Sequence, residues 1–278
     1  MSARHLLASF AGAAVFAGTA LAQEAITSPA ATQPALGAFK LNQKLIWERR
    51  GSDPSPHDRK VDRLEFEQTL ATGLSGNVSA EFKLPIVWQG TRAAHRPSDS
   101  DSGLSDPSLV VKWRFWQNDS GAVDTARLSL LVGTDLPLGT KAFSNRSFDP
   151  GVGLAFTAIS GRHGFGAAAR YTFTTRAKSD AKMLGETLAD LLRLDGSYLY
   201  RLSPEAWSAD TTAAWYLVGE VNARIETTGM HEVLLQPGIL YEATRFAAEL
   251  GVGLPVLHRV DDRPRAKLVL TAGVRWLF

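Results

Sequence analysis

The sequence predicts an all-β fold: a transmembrane antiparallel up-and-down β-barrel of about twelve strands. Three observations predict it. Segments alternating apolar and polar residues with period two recur from residue 38 to the end, and a strand with one apolar face has that period. The links between these segments are alternately short and long. Beyond the amino-terminal apolar run no segment has the length of a spanning helix, so a membrane protein built from this chain must use a closed sheet, in which every backbone group is paired.

Arg4 and His5 precede the apolar run Leu6 to Leu21, and the small residues Ala20 and Ala22 stand before Gln23. This is the pattern of a secretory signal peptide over 1–22, cleaved after Ala22. Residues 23–37 are rich in Pro, Ala, Thr and Gln without periodicity, and read as a flexible periplasmic tail. The barrel is expected over 38–278.

The strands follow in order, each with an outward apolar set and an inward polar one. Phe39, Leu41, Leu45 and Trp47 oppose Lys40, Asn42, Lys44 and Glu48 in the first, and Leu64, Phe66 and Leu70 oppose Arg63, Glu65 and Glu67 in the second. Val78 to Trp88 alternates with Glu81 and Lys83, Leu109 to Phe115 with Lys112 and Arg114, and Ala126 to Val132 with Arg127 and Ser129. Val152 to Ala158 and Phe165 to Phe173 form the sixth and seventh, the latter with Arg170 inward. Leu192 to Leu202 sets Arg193, Asp195 and Arg201 inward, and a ninth strand is expected from Trp207 to Leu217 with Asp210 inward. Val233 to Tyr241 has Glu232 and Glu242 inward, Phe246 to Val256 has Glu249, and the last runs to Phe278.

Links after even-numbered strands, such as Gly73 to Gly76 and Ser160 to Gly164, are short, and those after odd-numbered ones, such as Gln89 to Ser105 and Leu138 to Pro150, are long. Membrane barrels place short turns in the periplasm and long loops outside, so both termini are expected to be periplasmic. A soluble sandwich would turn its polar set outward, whereas here the charged set is the inward one.

Composition excludes several classes. The chain has no cysteine, hence neither disulfides, nor a thiolate metal site, nor a lipidated cysteine. With 30 Lys and Arg against 28 Asp and Glu, it carries no basic footprint for nucleic acid. No cofactor is expected.

The final segment, Leu268 to Phe278, alternates up to a carboxyl-terminal aromatic residue. With Trp276 and Phe278 it resembles the assembly signal of bacterial outer-membrane barrels, which implies outer-membrane lipid and the barrel-assembly machinery as partners. A narrower resemblance rests on Gly103-Leu104-Ser105-Asp106-Pro107-Ser108-Leu109, on Lys112-Trp113-Arg114-Phe115, and on Thr134-Asp135-Leu136-Pro137-Leu138-Gly139. These stretches are similar to motifs of the outer-membrane family named for the meta-cleavage pathway of phenol degradation. That resemblance implies a channel for small, often hydrophobic or aromatic compounds, and carries over no functional residues.

About twelve strands leave a narrow or partly plugged lumen. Its expected lining is a basic wall of Lys112, Arg114, Arg127, Arg170, Arg193 and Arg201 facing an acidic wall of Asp210, Glu232, Glu242 and Glu249, a transverse field that would set selectivity. The same charges could equally be internal ion pairs that fill the lumen. His57, His95 and His258 fall in long links and His231 near a strand end, without paired metal-ligand spacing. His95-Arg96-Pro97-Ser98 is a residue too long for the His-x-Ser of outer-membrane phospholipases. The sequence thus predicts a passive channel or facilitator for a small-molecule solute. A closed structural or surface-interaction barrel is the alternative, and a lipid hydrolase comes last. Oligomeric state and the solute's identity are not encoded in these patterns.

Overall fold

A computed structural model describes residues 23–56, 58–94, 97–121, 123–175, 189–208 and 210–278. The expected signal segment, His57 and His95 lie outside the described residues. The strands are β1 (Phe39–Gly51), β2 (Lys60–Gly73), β3 (Val78–Arg92), β4 (Asp99–Leu104), β5 (Ser108–Asp119), β6 (Thr125–Asp135), β7 (Asp149–Ser160), β8 (His163–Thr172), β9 (Leu191–Ser203), β10 (Ala213–Glu226), β11 (His231–Ala243), β12 (Phe246–Arg259) and β13 (Arg265–Leu277). All pair antiparallel with their neighbours. β13 returns to β1, β1 pairs β2, and β2 pairs β3, so every strand but β4 belongs to one closed ring of twelve.

β4 is the first departure from the expected scheme. Sequence leaves Gln89 to Ser105 as a link, but β3 continues to Arg92 and β4 pairs with that extension, Ile86 opposite Leu104 and Thr91 opposite Asp99. Past Trp88 both faces are polar, so backbone pairing persists where alternation gives no sign of it. The price is a short seam: β3 meets β5 only through Val78–Lys83 against Ser108–Trp113. Above the seam Asp106 accepts hydrogen bonds from the amides of Gly139 and Asn145, both at 3.0 Å. This carboxylate draws the following link across β4.

The ninth strand of the ring is the second departure. β10 begins at Ala213, not Trp207, and runs on to Glu226. Residues 204–208 and 210–212 are not strand, and Thr211 N–H donates to Ser208 O at 3.1 Å while Ser208 N–H donates to Thr211 Oγ1 at 3.0 Å. Asp210 therefore lies exposed outside the strand and does not line the lumen. Ser208 and Thr211 capture each other locally, and that satisfies the backbone without a neighbouring strand.

The exterior is apolar as parity requires, with Leu45, Trp113, Leu154, Leu217 and Leu250 all exposed. Near the end where β1 begins and β13 finishes, hereafter the terminal end, Trp215, Tyr241, Phe246 and Trp276 form a chain of rings 4.8, 5.7 and 5.6 Å apart. Such a belt suits a membrane interface. Phe278 extends the ladder by exchanging two backbone hydrogen bonds with Phe39, 2.7 and 3.0 Å, and stacks on its ring.

The third departure lies inside. The segment 23–36, expected as a flexible tail, runs through the lumen as an ordered strap. Gln23, Ile26, Ala31 and Thr32 are buried, and Leu36 returns to the wall in a bridge with Gly73. The strap enters and leaves at the terminal end of the barrel. It lacks periodicity because the wall supplies its hydrogen-bond partners.

Candidate functional site: the strapped lumen

Glu220 on β10 holds the crown of the strap. Its carboxylate accepts from the amides of Ile26 at 2.5 Å, Thr27 at 3.1 Å and Ser28 at 2.8 Å, and from the Ser28 hydroxyl at 2.8 Å. Successive backbone N–H groups make a concave nest for an anion, and here the anion belongs to the wall. Ile26 packs against Leu199, Val218 and Leu240. A side chain at Gly238 would collide with its Cδ1 atom, so the glycine makes room for the anchor. Farther along, Thr157 Oγ1 accepts from Ala31 N–H at 2.9 Å, Ser129 donates to Ala31 O at 3.0 Å, and Lys112 Nζ donates to Thr32 O at 3.0 Å. The strap thus crosses from β10 to β5.

Glu24 ties the strap to the strands beside the chain termini. It pairs with Lys40 at 2.7 Å and Arg275 at 3.2 Å. Burial pushes its carboxyl upward, and the charges of Lys40, Arg275 and Lys112 outweigh that and hold it well below the ordinary carboxylate range. Lys44 donates to Ile26 O at 2.6 Å.

The expected basic residues divide by height along the barrel. Lys112 is buried, pairing with Glu81 at 2.9 Å. Arg114 donates to Gly76 O at the terminal-end turn, and Arg127 bonds Thr125 Oγ1 at 3.2 Å. Arg201 is buried, donates to the carbonyls of Pro204 and Glu205, and stacks over Trp207 at 4.9 Å. These four serve the strap and the turns of the terminal half. Arg170 and Arg193 lie in the other half, near the loop end.

Two of the expected acidic residues, Glu232 and Glu249, are paired on their own side. Glu232 meets Arg50 at 3.2 Å and accepts from Ala266 N–H at 3.0 Å. Glu249 accepts from Arg275 Nε at 2.8 Å, with Lys44 3.8 Å away. Glu242 is buried, and its Oε1 has no hydrogen-bond partner among the described residues. Two walls of single sign are therefore not present. Cations stand among these acids, and Glu67 and Glu81 among the bases. Glu249 and Arg275 are not directly opposite, since Glu249 faces Gly273 and Arg275 faces Ala247. The bare Gly273 lets the Glu249 side chain lie across it to reach Arg275.

Between the strap and the loop-end mouth lies a cavity of about 350 Å³. Its floor is Ala25, Pro29 and Ala30 of the strap, and its upper wall includes Arg170, Arg193 and Arg224. The chemistry available there is recognition: cations, the carboxylates of Glu24, Glu67, Glu81 and Asp195, amides, and a short stretch of apolar strap. No group of three or more potential metal ligands occurs among the described residues. His231 and His258 sit at the loop-end tips of β11 and β12, opposite Arg259 and Glu232.

Residues 60–254 match the family described as "Putative MetA-pathway of phenol degradation". The chain belongs to that family. Among solved structures, an outer-membrane channel from Pseudomonas putida F1 is similar in fold, with a TM-score of 0.59, 11% identity, and coverage of 87% of this chain and 96% of that one. The NanC porin follows with a TM-score of 0.49, 11% identity, and coverage of 85% and 98%. The β domain of a Bordetella autotransporter gives 0.47, 15% identity, and coverage of 87% and 100%. Identities this low establish the barrel fold alone. No curated protein matches in sequence.

The family match begins at residue 60, so it does not extend to the strap, and sequence reasoning missed the strap too. One signal for it was available. The inward faces of β7, β8 and β11 carry Gly153, Ala155, Gly164, Gly166, Ala168 and Gly238, an excess of small residues that leaves space to be filled by something else. Glu220 was a second sign, an inward carboxylate flanked in register by Ser197 and Gln236 and by no cation.

Proposed function

We propose that the protein is a passive outer-membrane channel for small molecules, narrowed by its own amino-terminal strap. The observation that carries this reading is a cavity lined by charged and amide side chains inside a closed ring whose outer face is apolar. Lipid-facing apolar strands with a polar interior are the division of labour of a pore-forming barrel. The fold shared with an outer-membrane channel and the family's link to phenol degradation support the same reading, with hydrophobic or aromatic compounds among the candidate solutes. In this reading residues 1–22 are a signal peptide cleaved after Ala22 and the termini face the periplasm. The barrel-assembly machinery reads Trp276 and Phe278 at the chain end, and the protein performs no catalysis.

The strap favours one second reading, a closed barrel without transport. Planar-bilayer recording of the purified protein separates the two. The channel reading expects discrete conductance steps in the wild type; silence in the wild type, with steps only after deletion of residues 23–36, would leave the closed barrel.

A further inference from the structure

On the outer face at the loop end, β1 to β4 set their outward residues in registered rungs. Trp47, Leu64, Trp88 and Ser102 make one rung, and Arg49, Asp62, Gly90 and Ser100 make the next toward the loop end. Lys60 stands opposite Arg92 in the rung beyond. Lys267 is exposed at the bulge where β13 pairs Leu268 with Arg49 and Ala266 with Arg50, and its Cε atom would lie 4.0 Å from a side chain at Gly51. Within three rungs the outer surface thus changes from aromatic and apolar to cationic. The sector from β5 to β11 differs: its outward residues, read from the same pairings, include no Lys, Arg, Asp or Glu.

Two arginines share the carboxylate of Asp62. Arg49 Nε donates to its Oδ1 at 3.0 Å and Arg92 Nη2 to its Oδ2 at 2.9 Å, yet the two arginine side chains remain 57% and 64% exposed. Ion pairs this open to water are weak, and each guanidinium keeps further N–H donors. Arg49 also lies over the Trp47 ring at 5.1 Å, which fixes its place above the aromatic rung. Lys60 and Lys267 make no ion pair among the described residues. Four cations therefore stand against Asp62, or against two carboxylates with Asp58, exposed two residues before Lys60. The other acids of these links, Asp53, Asp261 and Asp262, face Arg59, Arg265 and Arg263. Gly90 has no side chain, and over it opens a groove of about 500 Å³ bordered by Asp62, Ser100 and Ser102 and by Trp47, Leu64 and Trp88. Arg63, Gln89 and Asp101 border it too, but alternate to the lumen side, where Arg63 pairs with Glu65 at 2.8 Å.

We propose that this face binds an anionic lipid carrying more than one phosphate in its headgroup. Arg49, Lys60, Arg92 and Lys267 hold the phosphates, and the acyl chains lie along Trp47, Leu64 and Trp88. Guanidinium groups take phosphate oxygens in pairs and ammonium groups add a point charge, and basic side chains at headgroup level gather anionic lipid. An excess of cations over carboxylates suits a doubly phosphorylated head better than a single phosphodiester. The proposal goes beyond the channel reading: it rests on the apolar outer face lying in lipid and not on conduction, so it is tested whether or not the pore opens. The measurement is native mass spectrometry of the detergent-solubilised protein during lipid titration. Bisphosphorylated lipid A should form a saturable one-to-one adduct, and phosphatidylglycerol should bind about tenfold or more weakly. Lys60→Gln/Lys267→Gln, which breaks no ion pair among the described residues, should lower lipid A affinity by about tenfold or more with the unfolding temperature unchanged. Arg49→Gln/Arg92→Gln should do the same, and either variant alone suffices if the other fails to fold. Equal affinity for phosphatidylglycerol, or lipid A affinity unchanged in a folded variant, would overturn the proposal. So would displacement of lipid A by inorganic phosphate, since the aromatic rung would then contribute nothing.

Discussion

Glu220 decides whether the strap docks. Its carboxylate satisfies three consecutive backbone amides that have no other acceptor among the described residues. Glu220→Ala orphans them, at about 1–3 kcal/mol for each that water does not reach. The strap should then loosen, and protease accessible from the terminal end should cut within 23–36 faster than in the wild type. Glu220→Gln keeps one acceptor oxygen and should show a smaller effect; equal cleavage in all three proteins would remove Glu220 from this role. Glu24 gives the corresponding prediction for pH. Its pKa in the docked state is depressed, so its contribution is complete above the ordinary glutamate value of about 4.3 and is lost only as pH falls through the depressed value. Exchange protection of the Ile26 to Ser28 amides, corrected for intrinsic rates, should therefore be the same at about pH 5 as at about pH 7. A loss of protection at the lower pH would mean that another group controls docking.

Among the elements, the seam between β3 and β5 is the place where the ring is most weakly joined. It has six residue pairs, and β3 leaves it to pair with β4. Its neighbour β5–β6 spans the full length of both strands. Amides of residues 78–83 and 108–113 should exchange earlier than those of β10 and β11, which native-state exchange read by mass spectrometry would check. At the other join, Phe278 contributes two ladder hydrogen bonds and a stacked ring. Deleting it should change the unfolding temperature of assembled barrel little while lowering the amount reaching the outer membrane. Normal membrane levels of the truncated chain would argue against an assembly role. Strands of this kind are legible in sequence where one face meets lipid, as Leu109, Val111 and Trp113 show. They become illegible where both faces meet water, as at β4, or where a turn imitates alternation, as from Trp207 to Asp210.

For the whole molecule the strap sets the free cross-section. Deleting residues 23–36, with the signal segment retained, should enlarge single-channel conductance and weaken any discrimination among solutes; unchanged conductance would mean that the strap leaves the pore in any case. Sequence alone determined the closed all-β ring, the inward and outward face of nearly every strand, and the existence of a charged interior, because period-two alternation reports directly on which side of a strand meets hydrocarbon. It did not determine height along the barrel, and so could not separate Arg201, bonded into a terminal-end turn, from Arg193, open to the cavity. Parity put Glu249 and Arg275 together on the inward face of the last hairpin, though in direct register and not across Gly273, and it misplaced Asp210. Above all it left 23–36 as a tail, because a segment whose hydrogen bonds and apolar contacts are all made with distant wall residues carries no local period. Those partners come together only when the ring closes, so tertiary structure alone decided that the lumen holds a strap beneath three arginines.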